Sequence, residues 1–361
     1  MKLYDIHEIP GVEQEVLDYM KNKQHEKVVF CSDEKTGLKA IIAIHNTNLG
    51  PALGGTRMWE YPNTSAAIKD VLRLSRGMTY KAAITGLNLG GGKAVIMGDS
   101  NNKTDAMMTV FGKFVNSLNG QYITAEDVGM TTHDMKIIYK ETKHVVGKPK
   151  ELGGSGDPSV ITAYGTLMGI KGCAFYTWGK DSLKGKKVLV QGLGNVGRNL
   201  IQLLTKENAD IYVNDINPDK IKEISKQYHV NIIKEDIYSE KVDIYAPCAL
   251  GGTLNETTIP KLKCAIVAGA ANNQLAKEYV HDDLLKKNNI IYAPDFLINA
   301  GGLINVYSEL KNFSHNQVLA KTEKIFDTTI AILKKAEEDN ISTQKAALKI
   351  AREKVLKKHC A

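Results

Sequence analysis

The second half of the chain alternates short apolar runs with helical segments, and this alternation restricts the fold more than any other feature. KKVLVQG and ADIYVND are each followed by a helical segment, and VDIYAPC, CAIVAGA and IIYAP come later. Strands that are apolar throughout, without an alternating polar face, are typical of parallel sheets covered by helices on both sides. The pattern therefore predicts βαβ units and an α/β domain in this half.

A glycine motif lies at the first of these strand–helix junctions. VLVQGLGNVG has the G-x-G-x-x-G spacing, and Asp215 ends the next strand, 18 residues after the last glycine. This context is typical of a dinucleotide-binding turn, in which a pyrophosphate meets the helix N-terminus and an acidic residue binds the ribose hydroxyls. A glycine turn without a ligand is the alternative. The residues expected to contact the cofactor are Gly192, Leu193, Gly194, Asn195, Val196, Gly197 and Asp215.

The carboxylate of Asp215 favours NAD, because it would repel the 2′-phosphate of NADP. Lys220 lies nearby in the sequence and would weaken that discrimination. The sequence thus predicts NAD as the cofactor of a Rossmann-type domain.

The first half has a different pattern. Residues 27–34 and 39–47 read as a β-hairpin, 50–58 as a glycine-rich loop, 93–97 as a short buried strand and 122–129 as a strand followed by a turn. Helices are expected from Thr64 to about Thr85, near 103–119 and 160–178, and after Ser314 and Ser342. The glycines and proline of GGSGDPS, residues 153–159, indicate a linker.

Two α/β domains follow from these patterns, since 361 residues exceed one domain of ordinary size. We expect an N-terminal substrate-binding and oligomerisation domain over residues 1–150. We expect a Rossmann-type NAD-binding domain over 151–334, with C-terminal helices crossing back so that 335–361 packs on the first domain.

Composition narrows the class of protein. The apolar fraction is 43% and the charged fraction 24%, and the net charge of +7 is spread along the chain without a basic cluster. This favours a soluble protein that binds neither nucleic acid nor membrane. The five cysteines are widely spaced, and the N-terminus has no apolar signal-peptide core, so we expect a cytoplasmic protein.

The stretch GLNLGGGKAVI raises the question of what Lys93 does. A phosphate-binding loop needs glycine at the position of Leu87 and serine or threonine at that of Ala94. Candidate functional groups in this half are therefore Lys81 and Lys93, in apolar or glycine-rich surroundings, and the carboxylates of Glu126 and Asp127. For either lysine alone, an ion-paired or snorkelling side chain is the ordinary explanation.

The chain resembles the glutamate/leucine/phenylalanine/valine dehydrogenase family, most closely its leucine-specific members. The resemblance spans about residues 10–350 and rests on GPALGGTRMW, GMTYKAAITGLNLGGGKAVI, YITAEDVG, VQGLGNVG, DIYAPCALGGTLN, AGAANNQL and PDFLINAGGLINV. It implies reversible oxidative deamination, in which an L-amino acid, NAD⁺ and water give a 2-oxo acid, NADH and ammonium. It also implies a homo-oligomer, an octamer or a smaller assembly.

The resemblance implies a role for each candidate residue. Lys81 would bind the substrate carboxylate, Lys93 would be the general base that activates water, and Asp127 would transfer protons to and from the substrate nitrogen. The backbone at Gly54 and Gly55 would support the substrate. Asn272 would contact the nicotinamide side of the cofactor. A general base must be neutral part of the time, so burial and the ammonium of Lys81 are expected to lower the pKa of Lys93.

The resemblance also indicates the substrate. Glutamate-using members have a lysine and a serine where this chain has Leu53 and Val306, and Met78 and Leu303 are apolar as well. An apolar pocket disfavours a charged side chain, so we expect leucine, valine and isoleucine as substrates. Phenylalanine or another aromatic amino acid, which needs a wider pocket, is the alternative. Val146 stands where a small polar residue is expected in the leucine-specific members, and this departure bears on the relative rates for valine, leucine and phenylalanine.

Two further expectations concern the whole protein. A catalytically inactive nucleotide-binding regulator is the alternative from another class, and the presence of Lys81, Lys93 and Asp127 argues against it. The active site is expected in a cleft between the domains, with a hinge near Gly153–Pro158.

Overall fold

The computed structural model describes residues 1–5 and 14–357, and the chain forms two compact units. The first comprises Met1–Gly156, Val306–Asn312 and Arg352–Ala361, and the second comprises Asp157–Asn305 and Phe313–Ala351. The division at Gly156 lies within the expected linker. At the C-terminus it differs from the expectation, because residues 335–351 group with the second unit and only 352–361 with the first.

A six-stranded sheet forms the centre of the first unit. Its strands are β1 (Lys2–Asp5), β2 (Lys27–Asp33), β3 (Leu38–Asn46), β4 (Ala52–Trp59), β5 (Gly90–Met97) and β6 (Tyr122–Glu126). The order across the sheet is β1-β2-β3-β5-β4-β6. The pairs β1/β2, β2/β3 and β3/β5 are antiparallel, whereas β4 is parallel to both β5 and β6.

Helices cover both faces of this sheet. They are α1 (Gln14–Asn22), α2 (Thr64–Ile84), α3 (Asp105–Ser117) and α4 (Thr132–Glu141). Because side chains alternate along a strand, Ile41 of β3 packs in one cluster with α1 and α2, while Ile42 packs in the other with α3 and α4. Residues of odd number on β4, β5 and β6 therefore face α2.

The glycine-rich segment 50–58 was expected to be a loop, and this expectation is wrong. It forms β4, an interior strand that pairs with both β5 and β6. Glycine lowers strand propensity, but here it permits close packing between neighbouring strands. A Cβ atom at Gly54 would lie 1.8 Å from the carbonyl oxygen of Gly92, so no larger residue fits between β4 and β5.

A fully parallel sheet forms the second unit, as the alternating pattern predicts. Its strands are β7 (Lys187–Gln191), β8 (Asp210–Asn214), β9 (Asn231–Ile232), β10 (Ile244–Pro247), β11 (Ile266–Val267) and β12 (Ile291–Tyr292), in the order β12-β11-β10-β7-β8-β9. The order reverses direction at β7, which places a topological switch point at the carboxyl end of that strand.

The helices of the remaining chain complete the fold. They are α5 (Ser159–Trp178), α6 (Asn195–Lys206), α7 (Pro218–Gln227), α8 (Glu278–Lys287), α9 (Asp295–Ile298), α10 (Gly301–Lys311), α11 (His315–Glu338) and α12 (Thr343–Lys357). Short 3₁₀ turns occur at Ser100–Asn102, Lys150–Leu152, Ile237–Ser239 and Ile259–Lys261. Ser314 starts α11 with a reciprocal capping box, which agrees with the predicted helix start.

The first unit also includes two segments from late in the chain. Glu309 accepts hydrogen bonds from the backbone N–H groups of Gly147 and Ser155 and from the Ser155 hydroxyl, at 2.7–3.2 Å. Lys354 donates to the carbonyl oxygen of Ile84 at 3.1 Å, at the C-terminus of α2. These contacts hold segments 306–312 and 352–357 in the first unit.

The structure also bears on the cysteines and on the polarity of the helices. Cys31, Cys173, Cys248 and Cys264 are free thiols, whereas Cys360 lies outside the described residues. Within residues 14–357, every helix is too short or too polar to cross a membrane.

Candidate active site

Three consecutive glycines precede Lys93, and each is required by a different neighbour. A Cβ atom would lie 2.0 Å from the Asn46 carbonyl oxygen at Gly90, and 2.1 Å from the Thr79 backbone nitrogen at Gly91. At Gly92 it would lie 2.7 Å from the ring of Tyr122. These glycines are the first residues of β5, where the end of β3, helix α2 and strand β6 all approach the bare backbone.

Tyr122 of β6 contacts both of the neighbouring glycine-rich strands, β5 and β4. Its ring is fully buried against Gly92, and its hydroxyl donates to the carbonyl oxygen of Gly54 at 2.5 Å. Gly55 has a similar packing reason, since a Cβ atom there would lie 2.9 Å from the Cβ of Asp127. Both glycines predicted to support substrate thus also permit close approach of β4 to its neighbours.

Lys93 points towards the α2 side of the sheet and is only 6% exposed. Its Nζ donates to Oδ2 of Asp127 at 2.6 Å, and the Nε of Arg57 donates to the same oxygen at 3.0 Å. The structure therefore brings Lys93 and Asp127 together, and it adds Arg57, which sequence reasoning did not identify.

The pKa values of this pair shift for separate reasons. Burial is the largest effect on Lys93 and lowers the pKa of its ammonium, although the contact with Asp127 opposes the change and the charge of Arg57 adds to it. Burial raises the pKa of Asp127, but the charges of Lys93 and Arg57 outweigh burial and lower the pKa overall. The expected lowering of the Lys93 pKa by burial agrees with the structure, whereas the contribution of Lys81 stays a prediction.

The other substrate-site candidates lie in the first unit. Lys81 is half-buried in the last turn of α2, near the C-terminus where the sequence predicted it, and Met78 lies one turn earlier. Leu53 is buried on β4 between Gly91 and Ile123, and Val306 is half-buried on α10. Val146 is fully buried, and its N–H donates to the Thr124 carbonyl oxygen of β6 at 2.9 Å.

The glycine motif of the second unit forms the turn from β7 into α6. Gly192 has φ +98°, and a Cβ atom at Gly197 would lie 2.0 Å from its carbonyl oxygen. Gly194 is the N-cap of α6, which has no side-chain cap, and the space where a Cβ would stand is open. The first N–H groups of this helix are therefore available to an anion, and the backbone at Gly194 can be approached closely.

Asp215 orders this turn from the end of the neighbouring strand. Its Oδ2 accepts the N–H of Leu193 at 2.7 Å, and its Oδ1 accepts the N–H of Asn217 at 2.8 Å. Each carboxylate oxygen retains capacity for a further hydrogen bond, as recognition of ribose hydroxyls requires. Asn195 is exposed at the start of α6, Val196 is half-buried beside it, and Leu193 is fully buried.

An amide pair holds Asn272 in a defined orientation. The buried Asn299 donates from Nδ2 to Oδ1 of Asn272 at 2.7 Å and to the Ala270 carbonyl oxygen at 3.1 Å. This hydrogen bond fixes which end of the exposed Asn272 amide faces Asn299, and any contact of Asn272 with the cofactor stays a prediction.

Sequence comparison places both units in one family. Residues 25–144 match the profile described as the Glu/Leu/Phe/Val dehydrogenase dimerisation domain. Residues 153–217 and 214–361 match that of the glutamate/leucine/phenylalanine/valine dehydrogenases. The chain belongs to the Glu/Leu/Phe/Val dehydrogenase family. It is therefore an amino-acid dehydrogenase, as the resemblance predicted.

Relatives within the Glu/Leu/Phe/Val dehydrogenase family differ in their named substrates. The chain is 50% identical to leucine dehydrogenase of Bacillus subtilis, over 94% of each chain. It is 47% identical to phenylalanine dehydrogenase of Caldalkalibacillus thermarum, over 93% of this chain and 92% of that one. The crystal structure of L-tryptophan dehydrogenase from Nostoc punctiforme superimposes with a TM-score of 0.87 at 45% identity, covering 96% of this chain and all of that one.

Glu/Leu/Phe/Val dehydrogenases use NAD, and the glycine turn of the second unit fits this cofactor. The uncapped N-terminus of α6 and the open position at Gly194 suit a pyrophosphate, and Asp215 suits the adenosine ribose. The prediction of NAD is confirmed at the level of the family.

Sequence reasoning missed three residues that order the candidate groups, two in the first unit and one in the second. Arg57 lies two residues after Gly55 and hence on the same strand face, a relation that was hidden because the segment was read as a loop. Tyr122 and Asn299 lie within or beside recognised motifs, but their roles depend on contacts with residues far away in the sequence. No local pattern reveals such contacts.

Proposed function

We propose that the protein catalyses NAD-dependent reversible oxidative deamination of branched-chain L-amino acids, with leucine as the preferred substrate. The observation that carries this proposal is the buried Lys93–Asp127 pair, because it supplies a lysine with a lowered pKa next to an ionised carboxylate. Perturbed pairs of this kind are typical of acid–base catalysis.

The roles of the chain's own groups follow from their chemistry. Lys81 binds the substrate carboxylate through its ammonium, and Lys93 in its neutral form takes a proton from the attacking water. Asp127 moves protons at the substrate nitrogen. NAD, when bound, accepts hydride from the substrate carbon.

The substrate preference rests on the apolar residues of the first unit. Leu53, Met78, Val146 and Val306 offer no charge to a substrate side chain, so glutamate is disfavoured. Valine is one methylene group smaller than leucine and isoleucine, and a difference of that size changes kcat/KM by about 10- to 200-fold. The names of the relatives support an aromatic amino acid as a second candidate, since similar identities link the chain to leucine and phenylalanine dehydrogenases.

One experiment separates these candidates. NADH formation is measured with L-leucine, L-valine, L-isoleucine, L-phenylalanine, L-tryptophan and L-glutamate. We expect the highest kcat/KM for leucine, lower values for valine and isoleucine, and the lowest for glutamate. A higher value for phenylalanine or tryptophan would establish the aromatic alternative, and no activity with any of the six would refute the proposal.

The proposed assembly is a homo-oligomer built through the first unit, and the resemblance to the family implies an octamer. Its support is that residues 25–144 match a dimerisation-domain profile. Light scattering on the purified protein would refute the assembly if the measured mass were that of one chain.

Deamination is expected to increase with pH through the ionisation of Lys93. At a pH below the pKa of Lys93, the side chain is an ammonium without a lone pair to accept a proton, so kcat/KM falls as the pH is lowered. Because burial lowers the pKa of Lys93, the acid limb should lie below the usual range for lysine. Because Lys93 and Asp127 interact, the apparent pKa of this acid limb describes the pair and not Lys93 alone. A kcat/KM profile that is flat from pH 7 to 10 contradicts this prediction.

Lys81→Ala is expected to increase KM for the amino acid by about 100-fold with a smaller change in kcat. The substitution removes the cation that binds the carboxylate, and loss of one partner of such a pair costs about 2–5 kcal/mol. Lys69→Ala is the matched control, because Lys69 is exposed on the same helix. A large fall in kcat at unchanged KM would instead assign Lys81 to the chemical step.

A further inference from the structure

We propose that Arg57 is a positioning residue that holds one oxygen of Asp127 and thereby leaves the other oxygen to exchange protons with the substrate nitrogen. The inference rests on the proposed function, because it concerns the carboxylate assigned to proton transfer. It adds a residue to that site and states which atom of Asp127 reacts.

The geometry of the carboxylate carries the inference. Lys93 Nζ and Arg57 Nε converge on Oδ2 of Asp127, at 2.6 and 3.0 Å. In the described part of the chain, every hydrogen bond to this carboxylate ends on Oδ2. Close approach of Gly55 to the Cβ of Asp127 further restricts the side chain. Oδ1 is thus the oxygen with lone pairs available for a substrate.

Arg57 is itself held from the opposite side. Its Nη1 donates to Oδ2 of Asp70 on α2 at 3.0 Å, and the hydroxyl of Tyr61 donates to the same oxygen at 2.8 Å. Arg73 donates to the other oxygen of Asp70 at 3.0 Å. The guanidinium therefore bridges two carboxylates, a geometry that its planar array of donors suits.

Arg57, which bridges Asp70 and Asp127, stabilises the charge of Asp127 during the proposed reaction. When Lys93 is neutral and acts as the base, Asp127 loses the ammonium that stabilises its charge. Arg57 stays protonated at any working pH, so it keeps Asp127 ionised and in place at that moment. The groups that face the carboxylate are Lys93 and Arg57, with Asp70 and Tyr61 behind Arg57 and Glu126 adjacent in the chain. Arg57 is the cation among them that cannot be discharged.

Arg57→Gln tests the proposal by steady-state kinetics with the best amino-acid substrate and NAD. We expect kcat to fall about 100-fold, because displacement of a reacting group by about 1 Å costs about that factor. KM should stay within about threefold. Arg57→Lys, which retains the charge, should recover part of the loss. Arg73→Gln, the matched control at the outer oxygen of Asp70, should stay within about twofold of the wild type.

The pH profile separates positioning from a purely structural role. Removing Arg57 removes a charge that lowers the pKa of Lys93, so the acid limb of kcat/KM should move to higher pH. Asp70→Asn should also lower kcat, by about tenfold, because it loosens Arg57. Its acid limb should move the other way, since Asp70 raises the pKa of Lys93. Loss of stability alone does not predict shifts in opposite directions.

Several results would overturn the inference. Arg57→Gln with kcat within threefold of the wild type, or with an unmoved acid limb, excludes the role. If circular dichroism shows that Arg57→Gln does not fold, Arg57→Lys and Asp70→Asn test the role of Arg57 instead. Wild-type kcat in both of these variants excludes that role. Lys93→Ala identifies the origin of a failure: full activity in that variant refutes the proposed function, whereas loss there with full activity in Arg57→Gln refutes only the role of Arg57.

Discussion

Lys93→Ala should lower kcat for oxidative deamination by about 1,000-fold, since general-base catalysis contributes about 10²- to 10⁴-fold. This corresponds to about 4 kcal/mol of transition-state stabilisation. Lys93 is the buried group beside Asp127 whose pKa is lowered, and alanine provides no base in its place. The measurement is kcat at saturating amino acid and NAD, with KM determined for both.

The control for this prediction is a second buried lysine–aspartate pair in the same unit. Lys103 binds Asp134 at 2.5 Å, and both side chains are largely buried. Lys103→Ala should therefore cause a comparable loss of stability while retaining wild-type kcat. Equal loss of kcat in both variants would show that folding, and not a missing base, explains the result for Lys93.

Asp215→Ser should change the ratio of kcat/KM for NADP to that for NAD by about 100-fold in favour of NADP. The substitution removes a carboxylate that accepts ribose hydroxyls and repels a 2′-phosphate, and hydrogen bonds to a charged group contribute about 1.5–3 kcal/mol each. Lys220 remains nearby to attract the phosphate. The measurement is reduction of each cofactor at saturating amino acid.

Two variants distinguish recognition from structural damage. Asp215→Asn keeps an acceptor for the N–H of Leu193 but removes the charge, so it should show a similar change in ratio with a smaller loss of NAD activity. Asp219→Ser, at an exposed position in the first turn of α7, should leave the ratio unchanged. An unchanged ratio in both Asp215 variants would exclude ribose recognition by this residue.

Much of the second unit could be predicted from sequence because its signals are local. Continuous apolar strands, a glycine turn and an acidic residue at the next strand end lie within one βαβ unit, and its geometry follows from their order. The first unit was harder for the opposite reason. Gly54, Gly55 and Gly92 indicate a loop by propensity, yet they belong to interior strands, where distant backbone and side-chain groups approach too closely for a larger residue.

The same distinction applies to the candidate site. Lys93 and Asp127 could be selected because lysine and acid in apolar motifs are unusual, and the resemblance supplied their roles. Arg57 could not be selected, since its partners Asp70 and Asp127 come from a helix and a strand end elsewhere in the chain. Sequence patterns identify residues of unusual chemistry more readily than the ordinary ones that hold them.

The first unit contains segments from both ends of the described chain, and this has a consequence for when it can fold during synthesis. Segments 306–312 and 352–357 belong to this unit, where Glu309 binds Gly147 and Ser155 and Lys354 binds the end of α2. Domains usually fold as they leave the ribosome, the N-terminal one first. Here the first unit is completed only after the residues of the second unit have been translated, so a nascent chain that stops before residue 306 carries an unfinished first unit.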